Sequence, residues 1–409
     1  MPNFSIALTG LQADTVALNT IGNNLANLNT TAFKGQTTTF QDLFYQNMGT
    51  SGAGNLLQVG VGTRVSGTAT DFTQGSLTTT NTSTDMALNG QGFFVVDQGN
   101  TQLLTRAGSF QLNGAGNLIT SSGENVMGYG AFAGAVNLNG GLVPITLPVS
   151  STENAQATQN LSMTTSLNAT AATGTSFTST ATLYDSLGQS HLATVTYTKA
   201  SSTSWGYAIT LPSGDASGTP SNNTGTLTFD SSGKLTAPAG NIANVTFPNV
   251  TDGASTLKFN FNIYDSNSNP TISETAAASN TSASSQDGFA SGAYQGFAVD
   301  GSGVISAKFS NGNTSVVGQV AVALVSNPSG LTRAGSNNFS ATNASGSVTV
   351  GTGGIAGRGA VEGLSLEQSN IDISAQFSEL IIAQRAFEAN SKTVTTFDTV
   401  TQEAIGMIR

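Results

Sequence analysis

No cysteine occurs anywhere in the 409-residue sequence, and histidine and tryptophan occur once each. Without cysteine the chain forms no disulfide, offers no thiolate nucleophile and builds no cysteine-based metal cluster. A single histidine, His191, leaves H-E-x-x-H metal ligation out of reach, and no G-x-S-x-G elbow supplies a serine for it to activate. Charge is scarce as well, at 8% of residues, with twelve Lys and Arg scattered singly and a formal net charge of −10. Phosphate binding needs clustered cations, so neither nucleic acid nor an anionic membrane surface is an expected partner. No apolar run is long enough to span a bilayer, and the N-terminus lacks the basic region of a secretory signal, so no membrane insertion is expected. If the chain works outside the cell, it is expected to leave by a route that needs no cleaved signal.

What the chain does have in abundance is glycine, serine, threonine and asparagine, the composition of a β-rich, neutral, extracellular kind of surface. At this length two to four domains are expected. Two stretches break the β pattern, and they are the two ends. Phe4, Leu8, Leu11, Leu18 and Leu25, with Ile21 beside them, recur at spacings of three and four, with Thr15 and Gly22 as gaps. Ile373, Phe377, Leu380, Phe387, Val394, Ile405 and Ile408 do the same, with gaps at Gln384, Ser391, Asp398 and Thr401. Both read as heptad-like seams, and the two terminal helices are expected to pair as a coiled coil. Asn3 is a possible cap for the first helix, and Ser369 with Asp372 forms an S-x-x-D start for the second. Lys392 and Arg409 sit toward its carbonyl end, where the helix dipole favours cations. Seams so diluted by polar residues bury too little for an isolated pair to offset its ordering entropy. The ends are therefore expected to order fully against the ends of neighbouring copies.

Between the ends the period changes. IGNNLANLNTTAFKG (21–35) reads as a helix end running into an extended connection across 31–70, with a short helical turn near Phe40 to Tyr45 and a Gly-rich loop over 49–67. From Phe72 the apolar period becomes two, and Phe93 to Val96 reads as a buried strand. Asn89-Gly90, Asn113-Gly114, Asp300-Gly301 and Asn311-Gly312 mark turns. A first β domain is expected at 71–149 and 286–364, with a second inserted at 150–285. SETAAASNTSASSQ (273–286) has the composition of a return linker. The terminal helical domain comprises 1–30 and 365–409, and the fold class is mainly β with α-helical termini. Trp205, Phe93, Phe94 and Tyr197 read as β-domain core.

The carboxylates Asp185, Asp265, Asp300 and Glu274 are the candidates for a glycosidase-like pair, but the three aspartates lie in turn contexts where the side chain bonds local backbone. GTGGIAGRG (351–359) lacks the Lys-Ser/Thr ending of a phosphate loop and reads as a hinge into the last helix, with Arg358 a solvated charge. No enzyme activity, cofactor or metal is expected. A second class of reading is an extracellular carbohydrate-binding or adhesin module, which has no use for seams at both termini.

IGNNLANLNTTAFKG, STDMALNGQGFFVV, RAGSFQLNGAGNL and SNIDISAQFSELIIAQRAFEANSKTV together resemble the shared motifs of the bacterial flagellar axial proteins, the rod and hook subunits. They fall within roughly the first 130 and last 125 residues. LYDSLGQSHLATVTYTK and NGNTSVVGQVAVALVSNPSGLTRAGSNNF are similar to the hook subunit, whereas FQDLFYQ and the Gly-rich loop after it also resemble the distal rod subunit. The resemblance to hook subunits implies an inner layer of paired terminal helices, outer β domains and helical polymerisation into a short curved tube. That tube acts as a universal joint carrying motor torque to the filament. It also implies rod proteins, hook–filament junction proteins, the hook cap and the flagellar type III export apparatus as partners, besides copies of the chain itself. Localisation in the flagellar hook, outside the cell, follows from the same resemblance.

Overall fold

A computed structural model of the chain describes residues 3–50, 56–99, 101–132 and 134–407. It is mainly β, with a helix at each end: α1 (Asn3–Ala26) and α2 (Ile373–Gly406). The chain divides into two compact units, Met1–Leu147 with Phe297–Ala307 and Ser315–Arg409, and Pro148–Gly296 with Lys308–Thr314.

In the first unit, α1 ends where its asparagines begin to bond the last turn instead of prolonging it. The Asn27 side-chain amide donates to the Asn23 carbonyl at 2.9 Å, a local competition that unwinds helix ends. The chain then doubles back. β1 (Gln36–Asp42), β2 (Tyr45–Thr50), β3 (Leu56–Gly60) and β4 (Thr63–Thr70) form two antiparallel pairs, β1 with β4 and β2 with β3. The residues assigned to a single extended connection, a helical turn and a Gly-rich loop are thus largely hairpin. The Thr-rich runs TTTF and TRVSGTAT favour strand over helix, since β-branched residues lose little freedom there.

Three-residue strand β5 (Leu77–Thr79) and β6 (Met86–Asn89) pair with returning segments Ser365–Glu367 and Ala360–Gly363. Two short strands thus precede α2, which begins at Ile373, where the apolar seam read from the sequence begins, and the segment 351–359 leads into the strand Ala360–Gly363 instead of the helix. Arg358 is not freely solvated: its guanidinium donates to the Thr349 and Ile355 carbonyls at 3.4 Å and lies across Gly351. β7 (Phe93–Asp97), β8 (Gln102–Thr105) and the strands Asn125–Phe132, Thr314–Val325, Asn338–Ser340 and Thr332–Gly335 belong to the main sheet, of fourteen strands. Phe72, Phe93 and Phe339 meet edge-on or tilted on one side of it, and Phe94 meets Phe110 nearly at right angles, the geometries ring quadrupoles favour.

The second unit holds two five-stranded sheets. One runs Ser176–Tyr184, Ser190–Ser201, Ser204–Thr210, Thr224–Phe229 and Leu235–Ala237, antiparallel throughout. The other is built on Asn160–Asn168, which pairs in parallel with Leu257–Asn262 and Ile272–Thr275 and antiparallel with Asn280–Gln286. Residues 273–286 are therefore mostly strand. A Ser/Thr/Ala composition suits a strand with both faces largely exposed, and this one is exposed or half-buried along its length. Buried residues alternate with exposed or half-buried ones through residues 190–200 and Leu257–Asn262, and the inward apolar residues, Tyr197 and Phe261 among them, join Trp205 in one core. Trp205, Tyr197, Phe93 and Phe94 are all buried, as the sequence indicates. Trp205 donates from Nε1 to Glu274 Oε1 at 2.9 Å, and Lys199 pairs with the same carboxylate.

One turn recurs across both units. Asp185, Asp265 and Asp300 each accept backbone N–H groups two and four residues on, at 2.8 to 2.9 Å. The residue three positions on takes positive φ: Gly188 at 84°, Ser268 at 62° and Gly303 at 83°. The glycine that matters in Asp300-Gly301 is thus Gly303, because the left-handed residue follows the turn instead of opening it.

A buried ion cluster ties the first unit together. Glu367 is fully buried; Oε1 accepts from Lys34 Nζ at 2.6 Å and from the Gly75 N–H at 2.9 Å, and Oε2 accepts from Arg106 at 3.3 Å. Lys34 also donates to the Thr73 carbonyl at 2.7 Å, and Arg106 to the Gly90 carbonyl at 2.6 Å. Burial pulls the Lys34 ammonium below its usual value, and Glu367 opposes that pull.

Two stability measurements follow. Glu367→Gln leaves two buried cations without their anion and is expected to cost about 3–5 kcal/mol in urea unfolding of the full chain; a loss under about 1 kcal/mol would show that the cluster carries little. Phe261→Ala opens a cavity in the second unit's core and is expected to cost about 3–5 kcal/mol, read as an earlier loss of the Trp205 fluorescence signal, with an unchanged midpoint contradicting that core assignment.

Candidate assembly face of the terminal helices

α1 and α2 lie antiparallel. Asn24 Nδ2 donates to Gln376 Oε1 at 2.9 Å, and Asn390 Nδ2 donates to Asp14 Oδ2 at 2.8 Å, so the end of one helix meets the start of the other. Gly10 lets the helices approach: a Cβ there would come within 2.7 Å of Asn390. The other flank of α1 rests on the β1–β4 pair. Asn24 exchanges two hydrogen bonds with the Gln36 backbone, at 2.8 and 2.9 Å, and Thr20 meets Thr38 at 3.0 Å. With its bond to Gln376, the buried Asn24 amide has partners on both its nitrogen and its oxygen.

The face of α1 that the chain itself covers is therefore small and polar: Ala7, Ala13, Thr20, Ile21 and Asn24 are buried. Of the seam read from the sequence, only Ile21 is buried. Leu11, Leu18 and Leu25 are half-buried and Leu8 is 43% exposed; the side chain of Phe4 lies outside the described residues. On α2 only Gln376 is buried. Leu380 and Val394 are half-buried, together with Ala383, Ala386, Asn390 and Phe397. Ile373, Phe377, Ile381, Ile382, Phe387, Val400 and Ile405 are exposed; Ile408 lies outside the described residues. The intramolecular seam is offset from the apolar stripe, because close helix–helix and helix–sheet approach selects residues with little side chain.

The register also leaves α2 too long for its partner. Asp14 opposite Asn390 and Asn24 opposite Gln376 put the start of α1 near Phe397. Residues 398–406 continue as exposed helix for a further ~13 Å at 1.5 Å per residue. Asp372, not Ser369, caps α2, accepting from the Ser374 and Ala375 N–H groups at 2.7 and 3.1 Å.

Brackets from the recognisable motifs set the helices' angle of departure. Asn370 Oδ1 accepts from the Gly35 N–H at 2.8 Å, and its amide donates to the Asp71 carbonyl at 2.9 Å. The Ala32 N–H donates to the Glu367 carbonyl at 2.8 Å, with Ala32 itself at φ 55°. Arg333 lies between the Phe33 and Phe339 rings, 5.1 and 5.6 Å from their centres, and donates to the Lys34 carbonyl. Asn24, Lys34, Arg106, Glu367 and Asn370 are not legible as bracket residues in the sequence: each stands in or beside a quoted motif, and nothing in the local pattern marks the first four as buried or Asn370 as half-buried.

The turn aspartates carry the backbone bonds described above, and Glu274 is engaged by Lys199 and Trp205. Among the described residues no helix is long and apolar enough to cross a membrane.

Comparison with known proteins supplies the lineage. Residues 4–34 match the family described as Flagella basal body rod protein, and residues 87–165 the Flagellar hook protein FlgE/F/G D1 domain. Residues 153–289 match the Flagellar basal body protein FlaE D2 domain, and residues 364–407 the Flagellar basal body rod FlgEFG protein C-terminal family. The chain is 30% identical over 458 residues to the flagellar hook protein FlgE of Treponema pallidum, spanning 98% of each. It is 31% identical over 420 residues to that of Salmonella typhimurium, spanning 99% of this chain and 100% of the relative. The crystal structure of the Helicobacter pylori flagellar hook protein FlgE2 shares the fold, with a TM-score of 0.53 at 15% identity over 70% of this chain and 99% of that one. Relatives matched from end to end, and family matches at both helices and both β units, establish that the chain belongs to the flagellar hook protein FlgE family.

Proposed function

We propose that the chain is the subunit of a hook tube and that α1 and α2 carry most of the polymerisation energy by packing against the same helices of neighbouring copies. The observation that supports this is the apolar surface α2 leaves uncovered: Ile373, Phe377, Ile381, Ile382, Val400 and Ile405 are all exposed on a helix whose own partner touches mainly small residues. Burying each such side chain contributes about 1.5–3 kcal/mol, and contacts repeated around a helical assembly add up. A carbohydrate-binding module has no need of that surface.

Polar positions along α2, such as Gln384, Ser391 and Asp398, interrupt the apolar stripe. Neighbouring helices that meet across such interruptions shift past one another at little cost, which suits a joint that bends while transmitting torque. The scarcity of charge acts in the same direction on the β units, since few ion pairs have to be desolvated and broken as copies move. Rod, junction, cap and export partners are the further expectation for such a subunit.

Phe377→Ser combined with Ile405→Ser is expected to abolish tubes in electron micrographs of the full chain under polymerising conditions. Because both residues are exposed, the soluble subunit should keep its unfolding midpoint to within the roughly 0.5 kcal/mol usual for surface changes. Tubes of normal length from the double variant would refute the assignment.

A further inference from the structure

The chain's only histidine is engaged on both ring nitrogens by carboxylates. His191 is 4% exposed, in the strand Ser190–Ser201 of the second unit. Its Nδ1 lies 2.9 Å from Asp215 Oδ2 and its Nε2 lies 3.1 Å from Asp185 Oδ2, with Asp252 Oδ2 3.8 Å from Nε2. A neutral imidazole has one N–H, so one of its nitrogens would present a lone pair to a carboxylate oxygen; the imidazolium presents two donors. Asp185 is held as an acceptor by other bonds too, since its Oδ1 already receives the Leu187 and Gln189 N–H groups. Asp252 is similarly committed, its Oδ1 accepting from the Ala254 N–H at 2.9 Å. The geometry calls for the charged ring.

The three carboxylates come from three separate turns and from both sheets. Asp185 opens the turn before Ser190–Ser201. Asp215 lies between Ser204–Thr210 and Thr224–Phe229 of the same sheet, and Asp252 between Ile242–Phe247 and Leu257–Asn262 of the other. Neutral bonds run beside the ring: the Ser255 N–H donates to Ser186 Oγ at 2.9 Å, Thr251 Oγ1 to the Gly214 carbonyl at 2.7 Å, and the Ser217 N–H to the Asn249 carbonyl at 3.1 Å. These bonds are the same at any pH near neutrality. The charge balance is not, because the groups paired with the ring are three carboxylates, and among the described residues no lysine or arginine forms an ion pair with any of them.

We propose that His191 is a proton-operated clasp: as imidazolium it draws the turns carrying Asp185, Asp215 and Asp252 together and fastens the two sheets of the second unit along this edge, and on losing its proton it releases them. A deprotonated ring leaves three carboxylates facing one another across a neutral group, and their repulsion works against the neutral bonds alongside. Burial by itself favours the neutral ring. It is outweighed by the hydrogen bonds to Asp215 and Asp185 and by the charges of both, so the imidazole stands above its ordinary value of 6.5. With the folded value raised, the stabilisation is complete below about pH 6.5, the unfolded value, and is lost as pH rises through the folded value. The clasp holds in acid-to-neutral medium and opens on the alkaline side.

A single histidine makes the test direct, because the unpolymerised full chain gives one imidazole Cε1–H signal in a proton NMR titration. In chelator-treated buffer the midpoint is expected above 6.5. Hydrogen exchange by mass spectrometry, corrected for intrinsic rates, is expected to show amides in 212–218 and 248–256 losing protection between pH 6.5 and pH 9. The loss should be about tenfold for each unit by which the midpoint exceeds 6.5, while the main sheet of the first unit stays unchanged. In His191→Gln that pH dependence should vanish. A midpoint at or below 6.5, or wild-type protection that is equal at the two pH values, would overturn the proposal, and both readings come from the unaltered chain. A midpoint pulled below 6.5 when the chelator is replaced by zinc chloride would overturn it too, by assigning the cluster to a cation, since a metal ion takes the imidazole lone pair and competes with the proton.

Discussion

A carboxylate with no access to water has to be met by cations and N–H groups, and in this chain Glu367 is that carboxylate. Lys34, Arg106 and the Gly75 backbone reach it from three segments that the sequence separates by up to 333 positions. Removing any one partner strands the others in a low dielectric, so the cluster is satisfied only when the segment after α1, the start of the first β unit and the segment before α2 are all in place. Much of the first unit depends on that meeting. The short pairings of β5 and β6 with the returning chain lie alongside it, and the Asn370 and Ala32 brackets that aim the two helices are its immediate neighbours.

From this anchor the helices run together in a way that divides labour between side chains. Close approach of α1 to both α2 and the β1–β4 pair is made by Gly10, Ala7, Ala13, Thr20 and Asn24, residues with little apolar surface to contribute. Most of the large apolar side chains of α2 stay exposed. A chain selected only for the stability of the single subunit would turn its isoleucines and phenylalanines inward; under the proposed function they are kept for neighbouring copies. The proton clasp in the second unit follows a related logic, with a marginal edge governed by one titratable group instead of by a larger core.

Much of the β architecture was legible in the residues. Alternation through residues 190–200 and Leu257–Asn262, and the apolar run Phe93 to Val96, announced strands because a pleated chain points successive side chains to opposite faces. The Asp and Asn turns were visible too: Gly90 and Gly312 take positive φ within their Asn-Gly pairs, whereas after Asn113 and Asp300 it is Gly116 and Gly303 that do so, since a dipeptide signal does not reveal which residue follows the turn. Residues 36–70 and 280–286 were harder. Their Thr, Ser and Gly content carries no apolar alternation, as these strands bury little, and a strand without a buried face looks like a connection.

By itself, the sequence determined the helical character of both ends, the β character of everything between them, and the shortage of charge and of catalytic side chains, because each follows from local composition and period. The tertiary structure alone decided which face of each helix is covered, that α2 outruns α1, that Asn24, Lys34, Arg106 and Glu367 are buried with half-buried Asn370 beside them, and that one histidine gathers three aspartates. Those outcomes depend on where distant segments meet, and the energy of a buried charge or a close backbone approach is set by partners that local sequence does not name.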